Sequence, residues 1–151
     1  MSLRDRINAD LTAAMKSRDA ERLSVLRMMK TAVRNREIDV RGELDDAAVV
    51  QLLGTLIKQR KESATQFRQG GRPELADKEE AEVKVIESYL PAAPSDEEIL
   101  AAVEEVVRAI GASGPKDMGR VMKECMARFA GRPVDGRKVS ALVKERLEQS
   151  R

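Results

Sequence analysis

The chain has 151 residues, 42% hydrophobic and 36% charged, with one Tyr, two Phe and no Trp; it is long enough to bury a core, and that core must be aliphatic, as in a helical protein. Its 0 His residues exclude Ser-His-Asp and Cys-His nucleophile systems, His-ligated metals and a His pH switch. The net charge of +2 conceals blocks, with balances of 0 over residues 1–21, +5 over 22–72, −9 over 73–105 and +6 over 106–151, an unevenness that hints at charged partners.

Ser2 reads as the N-cap of a first helix with Leu3, Ile7, Leu11, Ala14 and Met15 on its inner face, stopping near Ser17. Asp19 caps a second, whose stripe is Leu23, Leu26, Met29 and Val33 and whose outer face carries Arg27, Lys30, Arg34 and Arg36; Gly42 lies in the turn after it. Asp45 or Asp46 opens a third helix, in which Val49, Leu52, Leu53, Leu56, Ile57, Ala64 and Phe67 keep the period until Gly70-Gly71. Pro73 suits the first turn of a fourth, with Leu75, Ala76, Val83, Ile86 and Leu90 inward.

The prolines of Tyr89-Leu90-Pro91-Ala92-Ala93-Pro94-Ser95 interrupt helical hydrogen bonding and predict a domain boundary, with residues 1–90 as an N-terminal helical domain, 91–94 as linker and 95–151 as a small three-helix lobe. Ser95 and Glu98 form a capping box for a fifth helix that runs to Gly111 with Ile99, Val103, Val106, Val107 and Ile110 inward. A sixth buries Met118, Val121, Met122, Cys125, Met126 and Phe129. Asp135 then caps a seventh, which packs through Val139, Leu142, Val143 and Leu147. No alternating strand pattern occurs, so the expected fold class is all-α.

The lone Cys125 closes no intrachain disulfide, no signal-like segment opens the sequence, and no run approaches the roughly 20 apolar residues of a membrane span; these features predict a cytoplasmic protein without a membrane partner.

Several strings resemble those of the YqeY family, small relatives of the C-terminal tail of the B subunit (GatB) of the tRNA-dependent amidotransferase. They are Leu3-Arg4-Asp5-Arg6-Ile7, Ala14-Met15-Lys16-Ser17-Arg18-Asp19, Leu23-Ser24-Val25-Leu26-Arg27-Met28, Lys58-Gln59-Arg60-Lys61-Glu62-Ser63, Tyr89-Leu90-Pro91 and Lys116-Asp117-Met118-Gly119-Arg120-Val121-Met122, followed by Gly131-Arg132 and Asp135-Gly136. Lys123 stands where the family pattern often has Gly. The resemblance implies two helical parts and a role in holding tRNA. The parent complex does its chemistry in parts absent from this chain, so the resemblance implies no catalytic residue, even where a family label reads carbon–nitrogen ligase with glutamine as amide donor. Neither an amidase Ser-Ser-Lys signature nor a GxxxxGK[ST] phosphate loop is present.

The expected function is therefore a non-catalytic binding module that contacts tRNA or another RNA. Lys116, Arg120 and Lys123 recur at helical spacing, and with Gly119, Arg132, Arg137 and Lys138 they are the candidate phosphate contacts; Lys58, Arg60 and Lys61 form a second basic patch. Cys125 reads as core, and Glu79, Glu80, Glu82 and Glu87 as a solvated face rather than a metal site. The Ser63/Lys61 and Ser140/Lys144 pairs lack an oxyanion-hole signature, and no cofactor or metal is expected. A translation-related protein is a further candidate partner. The competing class is a protein-interaction adaptor without nucleic acid, docking through the acidic 73–105 segment or an uncovered apolar stripe.

Overall fold

A computed structural model describes residues 1–149. Its helices are α1 (Leu3–Ser17), α2 (Ala20–Val40), α3 (Asp46–Gln69), α4 (Pro73–Glu87), α5 (Asp96–Ile110), α6 (Met118–Arg128) and α7 (Gly136–Gln149), with a 3-10 turn at Pro115–Asp117 before α6. The fold is all-α, without a strand among the described residues. No helix among them is long and apolar enough to cross a membrane.

Contacts divide the chain into two compact units, Met1–Leu90 and a second from Pro91 onward. The first buries Ile7, Leu11, Leu26, Met29, Val33, Val49, Leu53, Ile57, Val83, Ile86 and Tyr89 in one cluster. The second buries Ile99, Val103, Val106, Val107, Val121, Cys125, Phe129, Val139, Val143 and Leu147. Each fully buried Leu, Ile, Val or Met contributes about 1.5–3 kcal/mol relative to exposure, so each cluster holds its own helices against the entropy of ordering them.

Local signals set the helix ends. Ser2, Asp19, Asp45 and Ser95 accept from the backbone N–H of Asp5, Arg22, Ala48 and Glu98, each three residues on. Asp135 accepts from the Arg137 N–H at 2.9 Å and so opens α7. Gly111 ends α5 at φ 65°.

Two details differ from the periodicity reading. Met15 is 54% exposed, because Ile7, Leu11 and Ala14 already fill the inner stripe of α1. Lys116 lies in the 3-10 turn before α6 begins, so its spacing to Arg120 is not an α-helical one. Gly42 follows α2 in the turn as expected, and the left-handed residue of that turn is Arg41, at φ 57°.

Candidate nucleic-acid interface

In the second unit most acids of α5 face a cation. Arg132 Nη1 donates to Glu98 Oε2 at 2.7 Å and its Nη2 to Glu98 Oε1 at 3.4 Å, while Nε donates to the Ala92 carbonyl at 3.3 Å. Lys138 Nζ lies 2.5 Å from Asp96 Oδ1, Arg146 Nε donates to Glu104 Oε1 at 2.5 Å, and Arg128 pairs with Glu105. The Arg132 hydrogen bond holds the Glu98 carboxyl below the usual carboxylate range, helped by the Ser95 backbone N–H. Arg132 and Lys138 are raised in turn by Glu98 and Asp96. Two candidate phosphate contacts therefore already hold carboxylates.

The remainder lie around the 3-10 turn and α6, apart from Arg137 on α7. Asp117, 8% exposed, accepts from the Ser113 N–H at 3.0 Å and fixes the chain between α5 and α6. That N–H lowers the Asp117 carboxyl, burial opposes it, and Arg120, the Gly114 N–H and Lys116 lower it further. Arg120 reaches Asp117 only at 3.7 Å and the Ile110 carbonyl at 3.4 Å, and 65% of its side chain is exposed. Lys116, Lys123 and Arg137 are exposed and make no ion pair among the described residues. A Cβ added at Gly119 meets nothing within 4 Å; helix packing therefore does not explain this glycine, whose backbone stands open beside Arg120.

The second basic patch is not gathered as a free surface. Arg60 donates to Glu82 at 3.1 Å and to the Leu56 carbonyl at 3.3 Å, and Lys61 lies 3.7 Å from Glu87. Only Lys58 of the three is exposed without an ion pair among the described residues. Arg68 is shared by Asp77 and Glu80, both at 2.8 Å. The acidic segment thus finds much of its countercharge inside the chain, α4 on α3 and α5 on cations of its own unit. Among the described residues no group of three His, Cys, Asp or Glu is placed to hold a metal ion.

Two features had no sequence signal at this level: the buried Asp117, which reads as one charge among many, and the contacts of Tyr89 with Asp10, Arg22 and Arg6. Tyr89 stood out only as a member of the Tyr-Leu-Pro string.

A family profile described as Yqey-like protein matches residues 4–147. The chain belongs to that family. Among curated relatives, Altered inheritance of mitochondria protein 41, mitochondrial, of Lachancea thermotolerans is 35% identical over 112 residues, 72% of this chain and 60% of the relative. The protein of the same name from Pyrenophora tritici-repentis is 29% identical over 142 residues, 93% of this chain and 78% of the relative. That of Saccharomyces cerevisiae strain YJM789 is 31% identical over 94 residues, 62% of this chain and 51% of the relative. The matched stretch spans 60% of the length of the first of these YqeY-family relatives.

Their names correct the expectation of a cytoplasmic protein, since these relatives are named as mitochondrial. The physical reason is that a single thiol forms no intrachain disulfide in any compartment, so Cys125 never distinguished one compartment from another.

Proposed function

We propose that this YqeY-family chain is a non-catalytic RNA-contact module, with tRNA as the first ligand to try and mitochondrial tRNA the natural source given the relatives' names. The observation that carries the reading is the group of exposed cations around the start of α6, Arg120 with Lys116 and Lys123, of which the two lysines have no ion pair among the described residues, beside the exposed Gly119. Such cations neutralise phosphates and release counterions, and an open backbone lets a phosphate approach closely. Arg137 adds a further exposed cation. Arg132 and Lys138 join only by giving up Glu98 and Asp96. In this reading residues 1–90 and 95–151 are separate domains joined by 91–94, and a translation-related protein is a secondary partner. The acidic-segment form of the adaptor alternative is less supported, because most carboxylates from Glu74 to Glu105 lie against cations of the same chain.

The test is binding of the full chain to tRNA across a salt series. Lys116→Gln, Arg120→Gln and Lys123→Gln together are expected to weaken binding and lower the salt slope by about one unit per lost contact, with helicity unchanged. Equal binding by wild type and triple variant at low salt overturns the reading. The purified chain alone is expected to give no glutamine-dependent amide transfer, and saturable turnover would replace the module by an enzyme.

A further inference from the structure

The strongest uncommitted charge in the first unit lies on α2. Arg27, Lys30 and Arg34, at i, i+3 and i+7, form one stripe about 10 Å long at the 1.5 Å rise of an α-helix. All three are exposed, and none makes an ion pair among the described residues. This contrasts with α3, where Arg60, Lys61 and Arg68 meet carboxylates of α4.

The stripe borders a groove of about 250 Å³ between α1 and α2, rimmed by Arg4, Asn8, Lys30 and Arg34 and floored by Ile7 and Val33. Its one carboxylate, Glu37, is already committed. Arg4 Nε lies 2.6 Å from Glu37 Oε2 and Arg4 Nη2 donates to Oε1 at 3.1 Å, while the Leu44 N–H donates to Oε2 at 2.8 Å. The Leu44 bond, followed by Arg4, holds the Glu37 carboxyl low against its burial. Glu37 takes up Arg4, whose Nη1 also lies 3.8 Å from the exposed Glu43 Oε1, while Lys30 and Arg34 meet no carboxylate within ion-pair distance among the described residues and Arg27 adds a third such cation beside the groove. Asn8 supplies a neutral amide able to donate to an anionic oxygen.

The aromatic side chains narrow the ligand. Tyr89 and Phe129 are buried and Phe67 is half-buried, so the described residues offer no exposed ring on which an unpaired base could stack. A surface with cations and no stacking platform reads backbone phosphates, as proteins do on double-helical RNA, whose deep major groove hides its bases.

We propose that the α1–α2 face is a phosphate-binding surface for the backbone of a double-helical RNA stem, contacted by Arg27, Lys30 and Arg34 without base readout. It rests on the RNA reading above for its class of ligand and uses none of that site's residues.

The experiment compares the full chain with the Arg27→Gln/Lys30→Gln/Arg34→Gln variant, using a perfectly paired RNA duplex, a scrambled-sequence duplex and an unstructured single strand of the same length. Wild type is expected to bind both duplexes equally and the single strand less well. The variant is expected to bind duplex at least about tenfold more weakly at low salt and to lose about two to three units of salt slope, with helicity unchanged because the three side chains are exposed. Unchanged duplex binding by this variant overturns the inference; if the Lys116/Arg120/Lys123 variant weakens binding in the same assay, the earlier reading survives alone. No RNA binding by wild type overturns both. Preference for single strand, or displacement by poly-glutamate as effective as by unlabelled duplex, also overturns it, the second in favour of an acidic protein partner.

Discussion

Tyr89 donates its hydroxyl to Asp10 Oδ2 at 2.5 Å, joining the segment just beyond α4 to α1 across 79 positions of sequence. Arg22 Nη2 donates to the same hydroxyl at 3.2 Å from α2. The Arg6 guanidinium lies 4.6 Å from the ring centroid and also donates to the Ser88 carbonyl at 3.0 Å. One buried aromatic thus ties α1 and α2 to the segment beyond α4 through a satisfied phenol and a cation over its face. The end of the first unit is fixed by named bonds and not by apolar contact alone.

These contacts give the fold a dependence on high pH. Burial, and after it the Asp10 hydrogen bond and charge, push the Tyr89 phenol up to about 12 from 10.0. The folded state favours the neutral phenol, so its stabilisation is complete below the ordinary tyrosine pKa and is lost as pH rises from about 10 through about 12. Tyr89 is the only tyrosine and there is no Trp, so tyrosinate absorbance reports this group alone. A titration midpoint well above 10 in the folded protein, moving to about 10 in denaturant, is the expected result; a native midpoint near 10 would contradict the geometry.

Tyr89→Phe keeps the buried ring and removes the hydroxyl. Asp10 then retains Arg22 at 3.9 Å without the phenol that donates to it. Hydrogen bonds to charged groups contribute about 1.5–3 kcal/mol, so urea unfolding of the variant should show a loss of about 2 kcal/mol. Stability equal to wild type would mean that water replaces the phenol at no cost.

Much of the fold is legible in the sequence, for a physical reason. Ser2, Asp19, Asp45 and Ser95 announce their helices because a short polar side chain satisfies an otherwise unpaired N–H locally. The stripes of α3 and α5 follow the 3.6-residue period closely enough to name Leu53, Ile57, Val103 and Val107 as core. Gly42 marks the turn after α2, but the residue that takes the left-handed conformation there is Arg41, one position earlier, which no residue preference announces. Lys116 misleads, since Pro115 permits a 3-10 turn as readily as an α-helical start.

The candidate site is less legible because charge pattern records which residues are present and not which are paired. Arg132 and Lys123 look alike in the sequence, but Arg132 meets Glu98 from 34 positions away while Lys123 meets no ion partner among the described residues. The acidic block from 73 to 105, read as a hint of a partner, supplies carboxylates to Arg60, Arg68, Arg132 and Arg146. Long-range pairing of this kind has no local periodicity to betray it.

Arg41 carries a further testable consequence. At φ 57° and ψ 46° it sits in left-handed backbone, which costs an ordinary L-residue about 1–2 kcal/mol and glycine nothing. Arg41→Gly removes that strain but adds freedom to the unfolded chain worth about 0.4–1 kcal/mol, so a net gain between about 0 and 1.6 kcal/mol is expected from chemical denaturation. A loss would indicate that the Arg41 side chain contributes more than the strain costs.

Cys125 distinguishes a packed thiol from a reactive one. It is 0% exposed, set in the cluster with Val121, Phe129 and Val143, and burial pushes its thiol up, away from the thiolate that reagents attack. A thiol reagent should therefore label the native protein only as fast as the second unit opens, and rapidly in denaturant. Cys125→Ser places a hydroxyl among apolar side chains, and without a partner this costs about 1–3 kcal/mol; Cys125→Ala removes the sulfur without adding a polar group and should cost less. Immediate stoichiometric labelling in native buffer, or a serine variant more stable than the alanine one, would show that the thiol reaches solvent or a polar partner and is not part of the core.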